Sequence, residues 1–144
     1  IFMNIGGAYS GDVFPNALYL NPGNENHWVT IRLEGTRSNR SAIGAKVRLT
    51  VINEDGSEWK IYQTCNSGGS FGCNSLQLET GLGKAKKIKE IEVNWPNGNN
   101  EYESFGGTDV DQVIKLVEGS SKVQILPQKP VQLQLRSHNS ASSN

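Results

Sequence analysis

The residues able to do chemistry are few and scattered along the chain. Gly68-Gly69-Ser70-Phe71-Gly72 has the G-x-S-x-G spacing that presents a nucleophilic serine on a sharp strand-to-helix turn. Such a serine needs a helix behind it and a histidine within reach, and the one histidine that follows it, His138, lies in the polar segment 137–144. The five residues therefore read as a Gly-rich structural loop. Gly81-Leu82-Gly83-Lys84 has the look of a phosphate cradle without its spacing, since Ala85 follows the lysine and no helix is expected behind it. Lys84, Lys86, Lys87 and Lys89 then form a solvated turn and strand face.

Cys65 and Cys73 flank the Gly-rich loop, with no His or acidic cluster beside them to complete a zinc site. A disulfide is expected if the strand ends approach within ~6 Å. It would hold only in an oxidising compartment, the alternative being two reduced thiols packed as small hydrophobes. Asp109-Val110-Asp111 and Asn53-Glu54-Asp55 are the tight acidic clusters, and neither has the D-x-[DN]-x-[DN]-G run that wraps oxygens around calcium. Turn and capping roles are expected of them, and no cofactor, with a surface-assisted Ca²⁺ site as the weaker alternative. Trp59, Tyr62 and Trp95 would make a stacking platform for sugar rings if they faced solvent together. By strand parity Trp95 shares a face with Ile91 and Val93, and Trp59 with Ile61, which places both tryptophans in the core; Tyr62, beside Lys60 on the opposite face, is the exposed candidate.

No nucleophile, base and carboxylate converge in the sequence, so the chain is expected not to be an enzyme. With 14 Lys+Arg against 14 Asp+Glu the formal charge is zero, leaving no long-range field for nucleic acid or anionic lipid. No window approaches the ~20 apolar residues of a membrane span.

The elements that must position these residues are strands. Ala45, Val47, Leu49 and Val51 alternate with Lys46, Arg48 and Thr50. The same period of two runs through Val29-Ile31-Leu33, Ile91-Val93-Trp95 and Val131-Leu133-Leu135, the pattern of strands buried on one face. Apolar runs at 59–65, 76–78, 113–117 and 123–126 add further strands. Asn53-Glu54-Asp55-Gly56 and Pro96-Asn97-Gly98-Asn99-Asn100 supply the hairpin turns, because Gly and Asn tolerate positive φ. With no helical period, the expectation is an all-β fold, an antiparallel β-sandwich of about eight or nine short strands. An extended arm over residues 1–25 precedes it, and a tail at 137–144 has nothing to bury.

Four motifs taken in order resemble a known family. They are the run Asn26-His27-Trp28-Val29-Thr30-Ile31-Arg32-Leu33-Glu34-Gly35 continuing through Arg40 to Val47; Ser67-Gly68-Gly69-Ser70-Phe71-Gly72; Gly81-Leu82-Gly83-Lys84-Ala85; and Ile91-Glu92-Val93-Asn94-Trp95-Pro96-Asn97-Gly98. Together they resemble the ASPIC/UnbV domain over roughly residues 26–119. That module closes cartilage-acidic-protein-like and many bacterial secreted proteins, usually after FG-GAP repeats that form a β-propeller. The resemblance implies three parts: residues 1–25 as an arm or the remnant of an FG-GAP-type repeat, 26–136 as the β domain, and 137–144 as a flexible tail. The D-x-D-x-D-G calcium loop of those repeats is absent, so no metal is carried over. What it implies about function is a non-catalytic module in a secreted, cell-surface or periplasmic protein, with an upstream propeller and an extracellular protein or polysaccharide as partner. Tyr62, Trp59, Arg40, Ser70 and Phe71 are the candidate binding residues, and a carbohydrate-binding module using the exposed aromatics is the alternative. Gly44, Gly68, Gly69, Gly81 and Gly83 are expected to serve tight turns or close strand approach.

Overall fold

The computed structural model describes residues 1–7, 11, 14–69 and 72–129. Ser70, Phe71, the expected strand at Val131 to Leu135 and the tail at 137–144 lie outside the described residues. Among the described residues there is no helix, and the all-β expectation holds. The described residues form eleven strands in order: β1 (Phe2–Met3), β2 (Ala17–Leu18), β3 (His27–Glu34), β4 (Lys46–Asn53), β5 (Glu58–Thr64), β6 (Leu78–Gly83), β7 (Ala85–Asn94), β8 (Tyr102–Ser104), β9 (Thr108–Asp109), β10 (Gln112–Val117) and β11 (Val123–Leu126).

One sheet runs β11-β10-β3-β6 and another β5-β4-β7-β8, with β9 added to β7, while β1 and β2 pair with each other alone. The described period-two segments became strands because burying one face of each repays the ordering of the backbone. Ala45, Val47, Leu49 and Val51 are at most 1% exposed, and they join Val29, Ile31, Leu82, Ile88, Ile91, Val93, Ile114 and Leu116 in one cluster drawn from both large sheets. Each fully buried Val, Leu or Ile contributes about 1.5–3 kcal/mol by leaving water.

Two features depart from simple alternation. The ladders are antiparallel except that β10 lies parallel to β3, with Gln112 opposite Val29 and Val117 opposite Glu34. Period two is the same for either direction, so the sequence pattern could not reveal it. In β7 the register against β4 slips at Thr50/Val51 and again at Ile52/Asn53. These bulges let Ala85, Ile88 and Ile91, spaced by three rather than two, all face inward, and they leave Lys86, Lys87 and Lys89 exposed.

The expected disulfide is not formed: both thiols are free. Cys65 is fully buried, its Sγ 3.5 Å from the Ser41 carbonyl and 3.6 Å from that of Leu76, while Cys73 is exposed. The register explains the correction, because an isolated antiparallel bridge sets Cys73 opposite Gly68 and not opposite Cys65. Gly68, at φ +88, is required there: a Cβ would lie 2.6 Å from the Asn74 amide nitrogen. Gly69 and Gly81 have neither positive φ nor a crowded Cβ position, so those two expected roles fail.

Candidate functional site

A cleft of about 1170 Å³ opens where β3, β10 and β7 begin. Trp28 and His27 reach it from the start of β3, Asp111 from the residue before β10, Lys84 from the residue before β7, and Asn53, Glu54, Asp55 and Trp59 from the β4–β5 hairpin. Glu25 and the Asn24 and Asn26 side chains complete its wall. Asp111 of one acidic cluster thus meets Asn53, Glu54 and Asp55 of the other, which the sequence keeps far apart.

Local hydrogen bonds fix this wall. His27 Nδ1 lies 2.7 Å from Asp111 Oδ2, the Trp28 amide donates to Asp111 Oδ1 at 3.1 Å, and the Asp111 amide donates to the Trp28 carbonyl at 2.7 Å. Asp111 sits at φ 59, a left-handed conformation that Asp tolerates better than most residues. Trp59 Nε1 donates to Asn53 Oδ1 at 3.2 Å, which pins the indole over the hairpin turn. Asp55 caps that turn by accepting from the Ser57 hydroxyl at 2.6 Å and the Ser57 amide at 2.9 Å, and those bonds lower its pKa. Lys84 Nζ pairs with Glu25 Oε2 at 2.8 Å.

Trp28 and Trp59 are 37% and 41% exposed, whereas Trp95 is 4% exposed. The core expectation is therefore right for Trp95 and wrong for Trp59. Parity gave Trp59 the inward side of its strand, but β5 is an edge strand of its sheet and Trp59 is its second residue, next to the exposed hairpin turn. Trp28 went unrecognised as a site residue. Its signal was present in the adjoining His27 and in the register that sets the indole opposite Gly81, which offers no side chain to cover it.

The other candidates do not converge on this cleft. Tyr62, 65% exposed as expected, lies three positions from Trp59 on the opposite face of β5, across from Arg48. Arg48 stacks on the Tyr102 ring, 4.4 Å from its centre, and grips Glu92 with two parallel bonds, one of 2.6 Å from Nε. Those bonds raise the Arg48 pKa and lower that of Glu92. Arg40 is elsewhere again, 3.3 Å from Glu34 on the wall of a groove of about 330 Å³. Among the described residues no three His, Cys, Asp or Glu side chains are placed to hold a metal ion.

The opposite ends of the same strands close on two carboxylates. Glu118, just after β10 and 3% exposed, accepts from the amides of Thr36, Arg37 and Ser38 at 2.8–2.9 Å and from Asn97 Nδ2 at 3.0 Å. Burial pushes its pKa up, but the backbone and Asn97 bonds together outweigh that and hold it at about 2. Glu103 accepts from Trp95 Nε1 at 2.7 Å and from the amides of Gly119 and Ser121. This end joins the β3–β4, β7–β8 and β10–β11 connections and carries structure.

No curated protein matches the sequence. The profile of the family described as ASPIC and UnbV matches residues 35–123. The match takes in Glu118, Glu103, Trp95 and, on the cleft, Trp59, Lys84 and Asp111, and it begins after His27 and Trp28. A match over more than half of the chain, laid on an all-β fold in which β4 to β10 fall wholly inside it, settles the family: this chain belongs to the ASPIC and UnbV domains.

Proposed function

We propose that the domain is a non-catalytic interaction module of a secreted, cell-surface or periplasmic protein, and that it binds an extracellular protein or matrix component at the cleft between Trp28 and Trp59. The observation that carries this is the exposure of two indoles, 37% and 41%, in one polar cleft of a protein that buries its third tryptophan. Large aromatics left half in water at a concave site supply contact area at low entropic cost when a partner covers them. Among the described residues the groups that line the cleft are engaged in turns and ion pairs, Asp55 with Ser57 and Glu25 with Lys84, while the Cys65 thiol, away from the cleft, is buried with its pKa raised by desolvation. In the intact protein the module follows a β-propeller. The apolar side chains of the β1–β2 hairpin support a folded neighbour on that side, since Phe2, Phe14, Leu18 and Tyr19 stand 52–64% exposed. A carbohydrate is the second ligand class, favoured by the exposure of the Trp28 and Trp59 rings in one cleft, with Tyr62 exposed on the other face of β5.

Binding to immobilised extracellular matrix tests this. Wild type is expected to be retained and the Trp28→Ala/Trp59→Ala double variant to be lost, while no ester, glycoside or phosphate substrate is turned over. Equal retention of both proteins, or turnover of any substrate, would end the proposal.

A further inference from the structure

We infer that the Trp28/Trp59 cleft receives a basic segment of a partner protein, with an Arg or Lys side chain laid against the indoles; this rests on the interaction-module reading and names its ligand. The chain as a whole carries 14 basic and 14 acidic residues. The cleft does not share that balance: Glu25, Glu54, Asp55 and Asp111 line it against the single ammonium of Lys84, which Glu25 already pairs. Carboxylates on a surface are usually only solvated. Here they surround two half-exposed indoles in a concave wall, and Trp is the ring that attracts a cation most strongly. A concave site also focuses the field of its charges and raises the local concentration of an oppositely charged ligand.

The hydrogen-bond inventory favours the same class. Several donors of the wall are engaged internally: Trp59 Nε1 on Asn53, Asn53 Nδ2 on Ser57, Lys84 Nζ on Glu25 and His27 Nδ1 on Asp111. Carboxylate oxygens with unused lone pairs remain, so the cleft is rich in acceptors. Guanidinium and ammonium groups only donate. A sulfated or uronate-rich glycan would meet like charge, and a neutral sugar would gain nothing from the surplus of negative charge.

The test is a fluorescence titration of the full chain with four probes: an Arg/Lys octapeptide, its Gln-substituted counterpart, a neutral hexasaccharide and a heparin oligosaccharide. A saturable change is expected with the basic peptide alone, weakening roughly tenfold as salt rises from about 50 to about 300 mM, because charge attraction is screened. Glu54→Gln, at an exposed turn position, should weaken binding on the order of threefold, and Trp59→Leu on the order of tenfold, the scale of a cation–π contact. An equal response to the Gln peptide, binding that ignores salt, or a response to the hexasaccharide alone would overturn the cationic ligand. A hexasaccharide response abolished by Trp59→Leu would overturn it while leaving the cleft as the binding surface; loss of matrix retention is the separate measure of the module itself.

Discussion

Where β3, β10 and β7 begin, Trp28 and Trp59 are 37% and 41% exposed, beside the exposed carboxylates Glu54 and Asp55. Where the same strands finish, Trp95 is 4% exposed and Glu118 3%. Both ends use indoles and carboxylates, yet only at the second does each carboxylate find several backbone amides to accept from. The Trp95 indole there meets Phe105 edge-on at 6.3 Å and gives its N–H to Glu103. The difference teaches that residue type does not assign role. A carboxylate that satisfies backbone donors in a dry site holds loops together, and one facing water beside an open indole is available to a ligand.

The sharpest way to break this comparison is to truncate the indoles. Trp95→Ala should cost about 3–5 kcal/mol in urea unfolding, and Trp59→Ala about 1 kcal/mol, because the first leaves a cavity and a part-buried Glu103 without its donor, while the partner of Trp59, Asn53, is exposed to water. Equal costs would erase the distinction between the ends.

Next in size is the carboxylate. Glu118→Ala should destabilise by about 3 kcal/mol, since three amide donors lose their acceptor. The same group sets an acid limb. Its folded pKa of about 2 lies below its ordinary 4.5, so its stabilisation is complete above pH 4.5 and is lost as pH falls toward 2. Urea midpoints measured down that range should fall steeply for wild type and less steeply for Glu118→Gln. Parallel curves would assign the acid sensitivity to other carboxylates, of which Glu34 and Glu92 shift in the same direction through Lys115 and Arg48.

The smallest effect concerns the cysteines. A thiol reagent should modify Cys73 in the native protein without changing its unfolding midpoint, and should reach Cys65 only after unfolding. A native protein with no titratable thiol would contradict the free pair.

Much of the fold was legible because period two is a local consequence of one dry face. Ala45 to Val51, Val29 to Leu33 and the turns at 53–56 and 96–100 needed only neighbouring residues to declare themselves. The site was less legible. Tyr62 was correctly placed in solvent and Trp59 was not, though both arguments used the same parity, because exposure at a strand's end depends on where the opposing sheet stops. Arg40, Trp59 and Tyr62 share a sequence neighbourhood and end on three different surfaces. The disulfide failed for a related reason: eight residues of separation permit a bridge, but the register chose Gly68 as the partner of Cys73.

The sequence by itself determined the strand class, the hairpin turns, the family and the charge balance, all of which depend on residue type and near-neighbour order. Only the tertiary structure decided that β10 lies parallel to β3, and so that Asp111 reaches the amide of Trp28 and Glu118 the amides of residues 36–38. Those contacts span eighty residues or more. A local pattern carries no information across such a distance, because the choice of neighbour is made by the packing of whole faces and not by the preference of any one segment.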